Sequence, residues 1–150
     1  MDRLVIGRRE RVALPEWGVR SLIAKVDSGA RTSALHVDNI EQLPNDRVRF
    51  EVVLSRRNPA RRVLVEAADL ARTTRVRPSS GVQHERHVVR TTVRIGPITK
   101  QIEISLVRRD RMLCRMLLGR TALAGDFLIN VDAKYLISKP PRRRPAEEPT

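Results

Sequence analysis

The stretch Ile23-Ala24-Lys25-Val26-Asp27-Ser28-Gly29-Ala30 sets an aspartate at the end of an apolar, β-prone run, then adds a small hydroxyl residue, glycine and alanine. A strand of this kind delivers a carboxylate into a rigid turn. The glycine admits close approach of backbone and ligand. The serine hydroxyl can hold the turn by bonding to backbone. Carboxylate-based hydrolysis needs this local chemistry. Asp, Ser and Gly are also ordinary turn residues, so the tripeptide alone reads first as a plain β-turn.

A second stretch changes that reading. Met116-Leu117-Leu118-Gly119-Arg120 lies far downstream, followed by Thr121-Ala122-Leu123. Asp-Ser-Gly-Ala early, a flap-length middle and Leu-Leu-Gly-Arg late resemble the paired signatures of retropepsin-like aspartic proteases. In that family the apolar-apolar-Gly strand passes behind the catalytic aspartate and a short helix follows. The wider string AKVDSGARTSALH, Ala24 to His36, is similar to a bacterial retropepsin-like family labelled as ATP-dependent zinc proteases, which includes the RimB-type proteins. The resemblance covers residues 3 to 138. It implies an all-β fold: a retropepsin-like (acid protease) closed or orthogonal β-barrel with one short C-terminal helix.

The residues support the protease part of that label and oppose its cofactors. A phosphate cradle would end in Gly-Lys-Ser/Thr, whereas Gly96-Pro97-Ile98-Thr99-Lys100 has the wrong spacing. A zinc hydrolase would carry two histidines four apart around a glutamate. In His84-Glu85-Arg86-His87 they are three apart, and only His36 and Cys114 remain. No cofactor and no metal ligand set is expected.

With 150 residues and 41% hydrophobic content the chain suits one domain with a real core. Aromatics are only 3%, so that core must be built from Val, Leu, Ile and Ala. No apolar run has the length of a membrane span, and no apolar leader stands at the N-terminus. A single cysteine excludes an internal disulfide and fits a reducing, cytoplasmic setting. The division expected is a folded domain over 1–139 and a Pro- and Arg-rich disordered tail over 140–150. The formal charge is +13, and residues 1–139 hold 27 basic against 15 acidic side chains, so the charge belongs to the folded part. Such a field favours an anionic partner, and arginine suits carboxylate or phosphate. Genomic composition bias would give the same excess.

Most segments read as short strands. Leu4–Ile6, Arg11–Leu14, Arg20–Val26 and Thr32–Val37 come first. Val48, Phe50, Val52 and Leu54 then alternate with a period of two. Val63–Glu66 pairs with that strand across Asn58-Pro59. Val88–Ile95 and Ile98–Val107 form a hairpin about Gly96-Pro97. Met112–Leu118 reads as a buried strand, Arg120–Ala124 as a turn or two of helix, and Phe127–Val131 with Tyr135–Ile137 as the closing strands.

The family's chemistry uses two carboxyl groups sharing one proton, one acting as general base. This chain has one Asp-Ser-Gly motif. A twofold axis would supply the second aspartate, so the resemblance implies a homodimeric aspartic peptidase with Asp27, Ser28 and Gly29 as catalytic residues. Ser28 would brace the two turns, or simply serve its own. Segment Arg72–Arg90 is the candidate flap, its alternative being a solvated loop. Viral retropepsins commonly place an acid after Asp-Ser/Thr-Gly-Ala, whereas this chain has Arg31, with Arg120 still present. Two arginines repel unless an anion lies between them, either a substrate carboxylate or a protein acid such as Glu16 or Glu85.

The RimB-type members are associated with trimming glutamate tails that an ATP-grasp ligase adds to a small-subunit ribosomal protein. The resemblance therefore implies an acidic, poly-glutamate-type peptide substrate. Ala30, Arg31, Thr32, Arg75, Arg77, Ser79, Ser80, Gly81, Arg86 and Arg120 would be the binding residues. Neither a membrane nor a direct nucleic-acid role is expected. Two rivals remain: a basic β-barrel binding RNA or the ribosome through phosphate contacts, and a module that binds acidic peptides without catalysis. The few aromatics count against base stacking in the first.

Overall fold

The computed structural model describes residues 2–76, 84–109 and 111–141. Ten strands carry the chain: β1 Leu4–Gly7, β2 Arg9–Leu14, β3 Val19–Val26, β4 Ser33–Leu43, β5 Arg47–Val53, β6 Arg62–Val76, β7 His84–Ile95, β8 Ile98–Val107, β9 Met116–Leu118 and β10 Phe127–Asn130. A 3-10 turn spans Pro15–Trp17, and the single α-helix among the described residues, α1, spans Arg120–Leu123. The fold is all-β with almost no helix. β1 and β10 form a parallel two-stranded sheet. The other eight strands follow the order β2-β3-β9-β4-β5-β6-β7-β8, with β7 also touching β2 and β8 also pairing, parallel, with β4.

Alternation explains the strands that the sequence marked. In β5, Val48, Phe50 and Val52 are fully buried while Arg47 and Arg49 face solvent. The two faces differ in polarity, so only one register buries the apolar set. Phe50 meets Trp17 edge-on, with ring centroids 5.1 Å apart and planes at 80°, a favoured geometry for two aromatic quadrupoles. Gly96, at φ +57°, turns β7 into β8 in the left-handed region that glycine enters without a Cβ penalty.

Three segments differ from expectation. β4 runs six residues past Val37 because an irregularity between Asp38 and Glu41 resets its pairing with β5. Asn39, at φ 54°, makes that turn, and it hides the period of two. β6 runs to Val76 rather than Glu66. Its outer half, with Arg72, Thr73 and Arg75 exposed, pairs with β7 away from the core, so no buried face marks it. In Met112–Leu118 only Met116–Leu118 is strand. Met112 closes a turn onto the Arg109 carbonyl at 3.0 Å, and Leu113 is 67% exposed.

Tyr135–Ile137 is not a strand but a strap tied to a buried acid. The carboxylate of Glu10, fully buried, accepts from Gly7 N (2.8 Å), Leu136 N (2.8 Å), Ile137 N (3.3 Å) and the Ser138 hydroxyl (2.5 Å). Four donors replace the water that a buried carboxylate has lost. No helix among the described residues is long and apolar enough to cross a membrane.

Candidate functional site

β9 lies between β3 and β4, parallel to the first and antiparallel to the second. Its register places Val26 beside Leu118, and the Asp27 amide donates to the Leu118 carbonyl at 2.9 Å. The Leu-Leu-Gly strand thus passes directly behind the aspartate. The turn after it is held from inside: Ala30 N donates to Asp27 O at 3.2 Å, and Gly29 N to Asp27 Oδ1 at 3.2 Å. Asp27 is half-buried, while Ser28 and Gly29 are exposed.

Gly119 locks this loop to α1. A Cβ there would stand 2.6 Å from Thr32 C, 2.8 Å from Thr32 O and 2.9 Å from Arg31 O, all backbone atoms. Only glycine permits so close an approach. The contact aligns three hydrogen bonds: Gly119 N to Ser33 Oγ (3.1 Å), Arg120 N to Ala30 O (2.8 Å) and Thr121 N to Arg31 O (3.1 Å). The Thr121 hydroxyl adds a bond to Arg31 O at 2.9 Å. Arg120 Nη1 then donates to the carbonyls of Ser28 (3.1 Å) and Gly29 (3.0 Å). Arg120 therefore clamps the Asp27 turn through Nη1.

Arg31 is different. It is exposed, and its guanidinium has no hydrogen bond or ion pair among the described residues. It lines an open cleft of about 280 Å³ with Thr32, Arg90, Gln101, Ile102, Glu103 and Thr121. Glu103 is engaged by Arg72 at 2.5 Å and, more loosely, by Arg90 at 3.9 Å. The cleft thus holds two guanidinium groups against one carboxylate already paired from behind. Glu16 lies elsewhere, bonded to the Thr91 and Thr92 hydroxyls. Glu85 stands opposite Arg75 in the β6–β7 register.

Of the flap arginines expected to bind substrate, Arg75 and Arg86 are not among this cleft's lining residues. Arg75 is exposed on β6. Arg86, on β7 opposite Thr74, has its pKa lowered by burial and then by the nearby charge of Arg109. Arg77, Ser79, Ser80 and Gly81 lie outside the described residues, as do 142–150 of the tail. Sequence reasoning missed Arg90, Gln101, Glu103 and Thr121 as lining residues, and Ser33 as a buried anchor. The available signal was the alternation of Gln101 and Glu103 with buried Ile102 and Ile104, which puts both polar side chains on one outer face. Among the described residues no three of His, Cys, Asp and Glu gather closely enough to hold a metal ion. His36 is buried, with its Nδ1 accepting from Arg109 N at 3.0 Å.

Comparison with known proteins gives two kinds of relative. The family model described as RimB-like, "Retropepsin-like aspartic endopeptidase RimB", matches residues 5–140. A protein of Parasynechococcus marenigrum named "Probable alpha-L-glutamate ligase" is 35% identical over 136 residues, 89% of this chain and 29% of that protein. One of the same name from Desulfotalea psychrophila is 37% identical over 130 residues, covering 84% and 28%. Another, from Shewanella pealeana, is 30% identical over 142 residues, covering 92% and 31%. This chain spans less than a third of the length of these relatives. A solved Legionella pneumophila protein of unknown function (DUF785) superimposes with a TM-score of 0.75 at 21% identity, covering 91% of this chain and 100% of that one.

These names correct one expectation. The sequence pointed to an aspartic peptidase, a hydrolase, but the curated relatives are named as ligases. The hydrolase and protease assignments are withdrawn.

Proposed function

We propose, from the premise that this chain belongs to the RimB-like family, that it is a binding module for glutamate-rich peptide chains and serves a glutamate-related reaction. The observation that carries this reading is the Arg31 guanidinium, without an ion pair among the described residues, beside Arg90 in an open cleft. Arginine forks match carboxylates bidentately, and a cleft lined by one sign of charge raises the local concentration of opposite charge. A glutamate side chain entering it would meet Arg31 and Arg90. Asp27, four residues before Arg31 on the same locked loop, is placed to accept peptide N–H groups. The Gly119 lock and the Arg120 clamp keep these groups in one arrangement, so little entropy is lost when a peptide binds. The relatives' printed name, a glutamate ligase, agrees with that ligand class.

We read the circuit β4-β5-β6-β7-β8, returned to β4 by the parallel β8 pairing, as the expected retropepsin-like barrel. The β1–β10 sheet supports a homodimer. Val5 and Leu128 are register partners, 46% and 51% exposed, on the face turned away from Ile6 and Phe127. An apolar pair on a short sheet fits burial against a second copy.

The test is peptide titration of the wild-type chain and the Arg31→Gln/Arg90→Gln double variant. Loss of two charge-assisted contacts at ~1 kcal/mol each, discounted for exposure, weakens an oligo-glutamate peptide by about tenfold or more. Unchanged affinity in the double variant would refute the assignment.

A further inference from the structure

A second basic cleft lies on a different part of the molecule. β2 is flanked there by β3 and β7. Ala13 of β2 is in register with Arg94 of β7. On its other side the pairing shifts between Val12 and Leu14, setting both Arg20 and Ser21 of β3 opposite that one alanine. The alanine methyl leaves a low floor, and a cleft of about 210 Å³ opens above it. Arg11, Arg20, Arg94, Ser21 and Ser138 are among its lining residues, and none of them is acidic.

The bonding state of these groups is informative. The exposed guanidinium groups of Arg20 and Arg94 make no hydrogen bond or ion pair among the described residues. Arg11 is anchored by Nε to Lys139 O (2.8 Å) and by Nη1 to Ser21 Oγ (2.9 Å), which leaves Nη2 to donate elsewhere. Ser21 accepts that bond, so its own O–H proton is free for a ligand. Glu10, which touches Ser138, is fully buried, and its oxygens are taken by the four donors already named. Three cations around one cleft repel one another without an anion between them. Guanidinium forks and a hydroxyl donor are the groups that bind tetrahedral oxyanions, and a charge of +3 matches a phosphate better than one carboxylate.

We propose that the Arg11–Arg20–Arg94 cleft is a phosphate-binding site, separate from the Arg31 cleft. The phosphate comes either from a small phosphomonoester or from a single-stranded nucleic-acid backbone. The experiment is an amide NMR titration of the full chain at low salt with inorganic phosphate, AMP, an oligouridylate and free glutamate. Phosphate and AMP are expected to shift the amides of Ala13, Ser21 and Gly96. Arg20→Gln/Arg94→Gln alters two exposed side chains, so its melting temperature should match wild type, yet it should weaken AMP binding by about tenfold. Its affinity for oligo-glutamate should not change. Tighter binding of the oligouridylate than of AMP supports the site with a diester as its source, and the reverse order supports it with a monoester. Three results would overturn the proposal: phosphate shifts centred elsewhere, glutamate shifting these amides as strongly as phosphate, or unchanged AMP binding by the double variant.

Discussion

Gly119→Ala probes the lock that positions the Asp27–Thr32 loop. The added methyl would lie 2.6–2.9 Å from Thr32 C, Thr32 O and Arg31 O. These are backbone atoms and cannot swing aside as a side chain would. Relief requires the loop and the start of α1 to separate. Overpacking of this kind costs about 1–3 kcal/mol. The separation also strains the bonds from Gly119 N to Ser33 Oγ, Arg120 N to Ala30 O and Thr121 N to Arg31 O, each worth ~1 kcal/mol. We expect a total near ~3 kcal/mol, which for a chain of this length lowers the melting temperature by about 6–12 °C. Gly29→Ala is the control. Its Cβ would meet Asp27 Oδ1, two residues before it, at 3.4 Å, ordinary contact, so it should stay within about 0.5 kcal/mol of wild type. Thermal unfolding by circular dichroism reads both variants. A Gly119→Ala melt within ~1 °C of wild type, or a Gly29→Ala loss as large, would refute the reasoning.

Two further predictions concern the frame around the site. Glu10→Gln turns one of two acceptor oxygens into an NH₂ that faces donors, and leaves either Gly7 N and Leu136 N or Ile137 N short of an acceptor. A cost of about 2–4 kcal/mol is expected in urea unfolding, with faster hydrogen exchange along Leu136–Ser138; equal exchange would contradict the strap's dependence on this acid. Val5→Glu with Leu128→Glu should give monomers in sedimentation at concentrations where the wild-type chain is dimeric, and a wild-type chain that stays monomeric throughout would remove the homodimer.

The sequence displayed the fold wherever a strand has one wet and one dry face. β5, β7 and β8 show this, and so does the Gly96-Pro97 hairpin. It hid strands whose outer ends leave the core, as in β6, and those whose pairing slips, as in β4 at Asn39. It overcounted Met112–Leu118 because an apolar run does not say which of its members are covered. The two motifs lie on loops that pack together, and the Gly119–Thr32 contact explains why they occur together. The role of Arg120 was not legible. An arginine beside a turn can hold a ligand, hold the turn or do both, and the bonds to the Ser28 and Gly29 carbonyls show that this one holds the turn. Arg90 and Glu103 escaped notice because they reach the cleft through strand pairing far from the motifs in sequence.

The account's central claim is that the chain recognises glutamate carboxylates through Arg31 and Arg90, and the most direct measurement is calorimetric titration with an oligo-glutamate peptide and its oligo-glutamine counterpart. The two ligands share length and backbone and differ only in charge. We predict that glutamate binds at least about tenfold tighter, with the difference shrinking as salt rises. Equal affinities for the two peptides would contradict it.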